Sequence, residues 1–335
     1  MGYQEYHDSR DSALDFTKGI LVLFMVLYHW MNYFVGIESP VYPYLRFIPA
    51  SFIFVSGFLL TSVYPTKYGL NNPKLYLRVL VRGLKILALF TLLNVVANMV
   101  FAKSYKGAMP GVENFLNNAA SIYIGGSGKM SFGVLLPIGY LLTLSALIFL
   151  GMQVSKYVVL VVCAASFILV FLLDWYEVSN ANFSFIAIGL LGMTLGQYPL
   201  QRIYNWAGCS YLLTGLYAGY LLAINMWGER YFLEVIGVCL SVLLIYGAGT
   251  MIKQPQVLVS TLVLLGQYSL FAYIAQIGLL QFLQRSLVTV DVREGELWAL
   301  SFIGAFTLTI LTVWVTNQMC SKSSTLEKMY RFVFA

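Results

Sequence analysis

The sequence predicts an all-α, polytopic integral membrane protein of about ten transmembrane helices, and three observations carry that prediction. Of 335 residues, 59% are hydrophobic and only 10% charged, with a mean hydropathy of +0.78, far from the balance of a soluble domain. Apolar segments of spanning length recur with short polar breaks. Those segments lack the strict two-residue alternation of a lipid-facing barrel strand, and a bilayer offers no partner to unpaired backbone groups, so helices are the expected element.

In chain order the first span runs over 19 to 37, centred on GILVLFMVLYHW. No small-residue cleavage site follows before Glu38, so this run is expected to be a retained helix and not a signal peptide. The second, 42 to 63, contains FIFVSGFLL, and the third, 77 to 101, grows out of YLRVLVRGLKIL. The next four are 132 to 151, 157 to 173, 181 to 197 and 207 to 226, and the last three are 231 to 251, 257 to 284 and 297 to 316. Residues 1–18 and 317–335 flank the transmembrane region as short cytoplasmic segments.

Ten spans place both termini on one side. With the termini inside, thirteen of the twenty Lys and Arg residues fall on inner segments, so cytoplasmic termini and a plasma (bacterial inner) membrane are expected. The net charge of +6 is then mainly a topological signal. No basic surface interleaved with aromatics points to nucleic acid. Membrane lipid is the expected surrounding, and a homo-oligomer stays open.

Several motifs lead nowhere. Cys163, Cys209, Cys239 and Cys320 have no CxxC spacing and are expected to pack as small apolar fillers. Only two histidines exist, one of them His7 in the polar N-terminal tail, so no metal site is expected. GGSGKMS, in the outer segment 102 to 131, is not a phosphate loop. Tyr123 stands where the leading glycine belongs, and Met130 replaces the Ser or Thr.

Charged and polar residues inside spans carry more. Lys18 and His29 are eleven positions apart in the first span, which on a helix is about 20° past three full turns and a rise of about 16 Å. They share a face at different depths. An ionisable group near midspan is costly, and His29 is therefore a functional candidate. In the third span Arg78, Arg82 and Lys85 fall at i, i+4 and i+7, a basic stripe at the cytoplasmic depth of Lys18. Such a stripe suits anionic lipid headgroups, and it also suits a bound polyphosphate.

One ligand explains both features. An acyl-coenzyme A thioester has phosphates that need several cations and a thin arm ending in the reactive acyl group. Histidine can take a proton from a hydroxyl at neutral pH and return it to a leaving thiolate. His29 is the expected general base. Lys18, Arg78, Arg82 and Lys85 are the expected donor-binding cations, with no permanently bound cofactor. Asn32 and Tyr33, about one turn outward of His29, and Asp174, in an outer break, are acceptor candidates.

These residues resemble the opening of the transmembrane acyltransferase superfamily, which includes the acyltransferase 3 and heparan-alpha-glucosaminide N-acetyltransferase types. SRDSALDFTKGILVLFMVLYH has that family's arginine (Arg10), Leu14-Asp15 pair, basic residue plus glycine (Lys18-Gly19) and histidine eleven positions on (His29). Ser56-Gly57 resembles its Phe-rich Ser-Gly segment, and Arg82-x-x-Lys85 its paired-arginine motif. SFGVLLPIGYLL, FSFIAIGLLGMTLGQ and LGQYSLFAYIAQIGLL also resemble family segments.

There are departures as well. Lysine stands at 18 and 85 where arginine is commoner, which keeps charge and loses the bidentate fork. Gln276 stands where many acyltransferase 3 members have histidine, and Leu136 where the acetyltransferase branch often does. The resemblance implies an acyltransferase domain over 19–316. Its implied reaction moves an acetyl or succinyl group from cytoplasmic acyl-coenzyme A to a hydroxyl or amine of an extracytoplasmic glycan or glycolipid, with Ser56 and Gln276 among the substrate contacts. The competing reading is a transporter or lipid-binding membrane protein whose polar residues line a path. The sequence shows no paired, interrupted helices in matching halves to favour it.

Overall fold

The computed structural model describes residues 11–36, 38–101, 119–125, 132–178, 180–228, 230–252, 256–288 and 294–334. Arg10, His7 and most of the 102 to 131 segment, including all of GGSGKMS except Gly125, lie outside the described residues. Among those described, every regular element is helical. The chain divides into two compact units, one formed by residues 1–51 and 201–335, the other by 52–200.

The first unit is organised on α1 (Ser12–Trp30), which continues as a π-helical turn, Met31–Val35, and ends at Gly36. A short 3-10 turn, Tyr42–Leu45, precedes α2 (Phe47–Ser62), whose first residues belong to this unit. After residue 200 the unit contains α8 (Leu200–Ala207), α9 (Ser210–Trp227), α10 (Tyr231–Met251), α11 (Val257–Gln267), α12 (Ser269–Val288), α13 (Glu294–Lys322) and α14 (Ser324–Phe334). Helix α1 packs most extensively on α11, then on α10, α12 and α13. Its Leu21, Val22, Met25 and Val26 are fully buried, as expected of a helix apolar on all sides.

Helix α1 starts at Ser12, seven residues before the expected span. Asp11 caps it, with Oδ1 accepting from the amides of Ala13 at 2.8 Å and Leu14 at 3.4 Å, and so satisfies two of the orphan donors of the first turn. Asp15, Thr17 and Lys18 depress hydropathy there and hide the helical start from a pattern based on apolar runs.

Two glycines set the α1–α11 distance. A Cβ on Gly19 would lie 1.9 Å from the Leu262 carbonyl oxygen, and one on Gly266 would lie 1.7 Å from that of Asp15. Only the missing side chains let the two backbones approach this closely.

The second unit contains the rest of α2, then α3 (Tyr64–Tyr68), α4 (Pro73–Phe101), a π-helical turn at Ser121–Gly125, α5 (Leu135–Val154), α6 (Val158–Trp175) and α7 (Ala181–Leu195). The pair α4 and α5 packs most extensively, followed by α6 on α7 and α5 on α7. Helix α7 meets α2 closely, since a Cβ on Gly192 would lie 2.1 Å from the Phe54 carbonyl oxygen.

Seven described helices are long and apolar enough to cross a membrane, or nine if each of two bent pairs is one span. The polytopic all-α expectation holds, with its count of about ten approximate. The span expected at 181 to 197 is α7, which turns by 105° into α8, and the one expected at 257 to 284 breaks near Tyr268, where α11 and α12 meet at 91°. The expected span at 207 to 226 is α9, which has the length of a span but is not among the seven. These bends are helix interruptions that the apolar runs do not show. An apolar run cannot reveal a break at a residue such as Tyr268, which is neither Gly nor Pro.

Orientation is open to a direct check. In a protein whose native cysteines are replaced, Ser104→Cys is expected to react with an impermeant thiol reagent added outside intact cells, and Asn71→Cys is expected to stay unlabelled. The reverse pattern inverts the donor side.

Candidate functional site

His29 lies in the last turn of α1. Its Nε2 is buried and meets no hydrogen-bond partner among the described residues. Its ring faces two tyrosines, Tyr28 edge-on at 5.4 Å and Tyr273 of α12 at 6.0 Å between centroids. A buried polar nitrogen without a partner costs free energy, and native structures retain few such atoms.

The wall around it is tied down. Trp30 Nε1 donates to Ser301 Oγ of α13 at 2.9 Å, and the Tyr42 hydroxyl donates to the Tyr28 hydroxyl at 2.6 Å with the two rings stacked. The π turn just after His29 carries Tyr33, whose hydroxyl accepts from Gln281 Nε2 at 3.1 Å and whose carbonyl accepts from Gln284 Nε2 at 3.0 Å. Single π turns recur at functional sites because they redirect one or two side chains. Here the turn lets α12 hold both the side chain and the backbone of Tyr33.

Gln276, also on α12, is fully buried, and both its amide nitrogen and its amide oxygen meet no hydrogen-bond partner among the described residues. The structure thus places His29 at the end of α1, Asn32 and Tyr33 in the π turn after it, and Gln276 on the stretch of α12 whose Tyr273 faces His29 and whose Gln281 holds Tyr33. Tyr273, Tyr28 and Gln284 were not singled out in the sequence. A tyrosine in an apolar span reads as packing, and only the contact reveals it.

Lys18 is engaged within its own helix. Its Nζ lies 2.6 Å from Asp15 Oδ1, and the Asp15 side chain is only 3% exposed. A buried carboxylate needs a compensating cation, and the i, i+3 spacing that supplies it is visible in the sequence.

The basic stripe belongs to the second unit. Arg78 donates to the Tyr68 hydroxyl and lies over the Tyr68 ring at 4.5 Å, and Arg82 donates to the Tyr64 hydroxyl. Tyr64 and Tyr68 are one turn apart on α3, so this short helix fastens the guanidiniums of α4. Neither arginine has an acidic partner among the described residues. Lys85 is half-buried on the same stripe. Ser56 donates to the Phe52 carbonyl at 2.8 Å within α2, and Asp174 is exposed at the end of α6 beside Trp175, which is 83% exposed.

Chemically, among the described residues of the first unit, His29 has an unused nitrogen and Gln276 an unused amide, one able to accept a proton and the other able to donate a hydrogen bond, as a group-transfer site requires. In the second unit, Arg78 and Arg82 carry charge that no carboxylate among the described residues neutralises, as an anion-binding surface requires.

A family model described as an acyltransferase domain matches residues 11–317. None of the curated proteins and none of the solved structures matches the chain. A family match across nearly the whole described helical region, with His29 inside it, identifies the chain as a membrane acyltransferase belonging to the acyltransferase 3 family.

Proposed function

We propose that the protein transfers an acetyl or succinyl group from acyl-coenzyme A at the cytoplasmic face to a hydroxyl or amine of an extracytoplasmic glycan or glycolipid. His29 Nε2 takes the acceptor proton as the acceptor oxygen or nitrogen attacks the thioester carbonyl. The tetrahedral intermediate then collapses, the C–S bond breaks, and the leaving thiolate takes that proton back from His29. The observation that carries this reading is the buried, unpartnered Nε2 of His29 in a chain of an acyltransferase family. A histidine kept only for structure would hydrogen-bond a neighbour.

Donor binding falls to the cations. Arg78, Arg82 and Lys85 of α4 hold the phosphates, and charge-assisted hydrogen bonds to phosphate are among the stronger polar contacts; Lys18, expected from the sequence to join them, is engaged by Asp15. Arg82→Gln with Lys85→Gln is expected to weaken acetyl-coenzyme A binding at least about 10-fold, since losing 1.4 kcal/mol already does so. Thermal stability should fall only modestly: Arg82 and Lys85 lie in the third and fourth turns of α4, and the Arg82 hydrogen bond to the neutral Tyr64 hydroxyl is lost. Unchanged donor affinity in the double variant removes this assignment.

The bent pairs α7–α8 and α11–α12 favour one second reading, a transporter with interrupted helices. The two are separated in inside-out membrane vesicles, which keep the cell's own acceptor. Acyl transfer releases free thiol from acetyl- or succinyl-coenzyme A and leaves coenzyme A on the donor side. Vesicles that move intact donor without releasing thiol support the transporter instead.

A further inference from the structure

We propose that Gln276 donates the hydrogen bond that stabilises the oxyanion of acyl transfer, an inference that rests on the reading of His29 as base. Its carboxamide is fully buried, and neither Nε2 nor Oε1 has a hydrogen-bond partner among the described residues. A carboxamide offers two N–H donors and an acceptor oxygen. Burying all of them unpaired costs more than a well-packed apolar residue would. The cost makes sense if a ligand supplies the partner during turnover.

The position fits that role. One turn before Gln276 on α12, Tyr273 touches the His29 ring at 6.0 Å. One turn after it, Leu280 is buried in a cluster with Val26 of α1 and Ala305 of α13, against which Trp30 and Tyr33 also pack. Gln281 then donates to the Tyr33 hydroxyl. Gln276 therefore lies on a stretch of α12 that is tied to α1 on both sides, at the level of His29. Two helices packed together each contribute a buried polar group with no hydrogen-bond partner among the described residues, one able to accept a proton and one able to donate a hydrogen bond.

In the reaction, the acceptor hydroxyl loses its proton to His29 Nε2 and forms a C–O bond to the thioester carbon. The C=O electron pair moves onto oxygen, and Gln276 Nε2–H hydrogen-bonds that oxyanion. Collapse restores C=O, breaks C–S and releases thiolate, which His29 protonates. Gln276 changes neither its charge nor its protonation. Its contribution is that of a donor fixed in place before charge develops, in a site with little water to compete.

The test separates catalysis from structure. Gln276→Met keeps the chain length and removes donor and acceptor. Thiol release from acetyl-coenzyme A in inside-out vesicles, per folded molecule, is expected to fall about 10²–10³-fold in kcat. KM for the thioester should stay within a few-fold and Tm should be unchanged or higher, since an unpaired amide is gone. Gln276→Asn, which withdraws the amide by one methylene, is expected to lose at least about 10-fold in kcat, and it serves if the Met variant does not fold. The inference is overturned if the variants keep wild-type kcat, or if Tm falls while kcat per folded molecule does not. Wild-type vesicles that release no thiol overturn the His29 reading itself, and that result is distinct from an active wild type with indifferent variants.

Discussion

His29→Asn protein is expected to bind acyl-coenzyme A nearly as well as wild type and to transfer its acyl group at least about 100-fold more slowly, the minimum loss when general-base catalysis is removed. Asn has similar size and keeps hydrogen-bonding groups, but it cannot take and return a proton near neutral pH. The stability cost should be small because His29 Nε2 has no hydrogen bond to lose among the described residues. What changes is the packing of the ring against Tyr28 and Tyr273. Turnover per folded molecule and Tm, measured on the same preparation in lipid nanodiscs, give the answer. A structural histidine would lower Tm and leave the surviving molecules active.

Gly266→Ala is expected to yield no stably folded protein. The added Cβ would lie 1.7 Å from the Asp15 carbonyl oxygen and 2.6 Å from its carbon, and both are backbone atoms that cannot rotate aside. Helices α1 and α11 would have to separate, which opens the most extensive contact of α1 and disturbs the turn holding the buried Asp15–Lys18 pair. Overpacking of this kind costs about 3 kcal/mol or more when no side chain can yield. Gly278→Ala on α12 is the matched control. Nothing lies within 4 Å of its added Cβ, and replacing a helical glycine with alanine should leave stability unchanged or raise it by about 0.5–1 kcal/mol. Monodisperse elution and a wild-type Tm for Gly266→Ala would contradict the account of this crossing.

Much of the fold is legible in the sequence because the bilayer imposes one rule on every span. Apolar runs of about twenty residues locate helices, and α5, α6 and α10 follow them within a few residues. Two features do not show. The start of α1 is set by the Asp11 cap, a local hydrogen bond that hydropathy does not register. The bend at Tyr268 is marked by no Pro, and the polar interruption around it, Gly266-Gln267-Tyr268-Ser269, is too brief to end a span by hydropathy. For the site, His29 stands out because an imidazole in a span is expensive, and the Arg78, Arg82 and Lys85 stripe stands out by its spacing. The isolation of Gln276 cannot be read from sequence, since it depends on the absence of partners from neighbouring helices. Asp15 is the opposite case. Its i, i+3 relation to Lys18 is plain in DFTK, and only its burial shows that the lysine is already engaged.

The most direct test of the central claim is a structure of the protein in nanodiscs with a non-hydrolysable thioether analogue of acetyl-coenzyme A. The acyl end of the analogue is predicted to reach α1 beside His29, leaving Nε2 within about 3–3.5 Å of the position the attacking acceptor atom takes next to the carbonyl carbon. An analogue bound with its acyl end remote from α1, or a His29 Nε2 hydrogen-bonded to a protein group while the donor is in place, would contradict it.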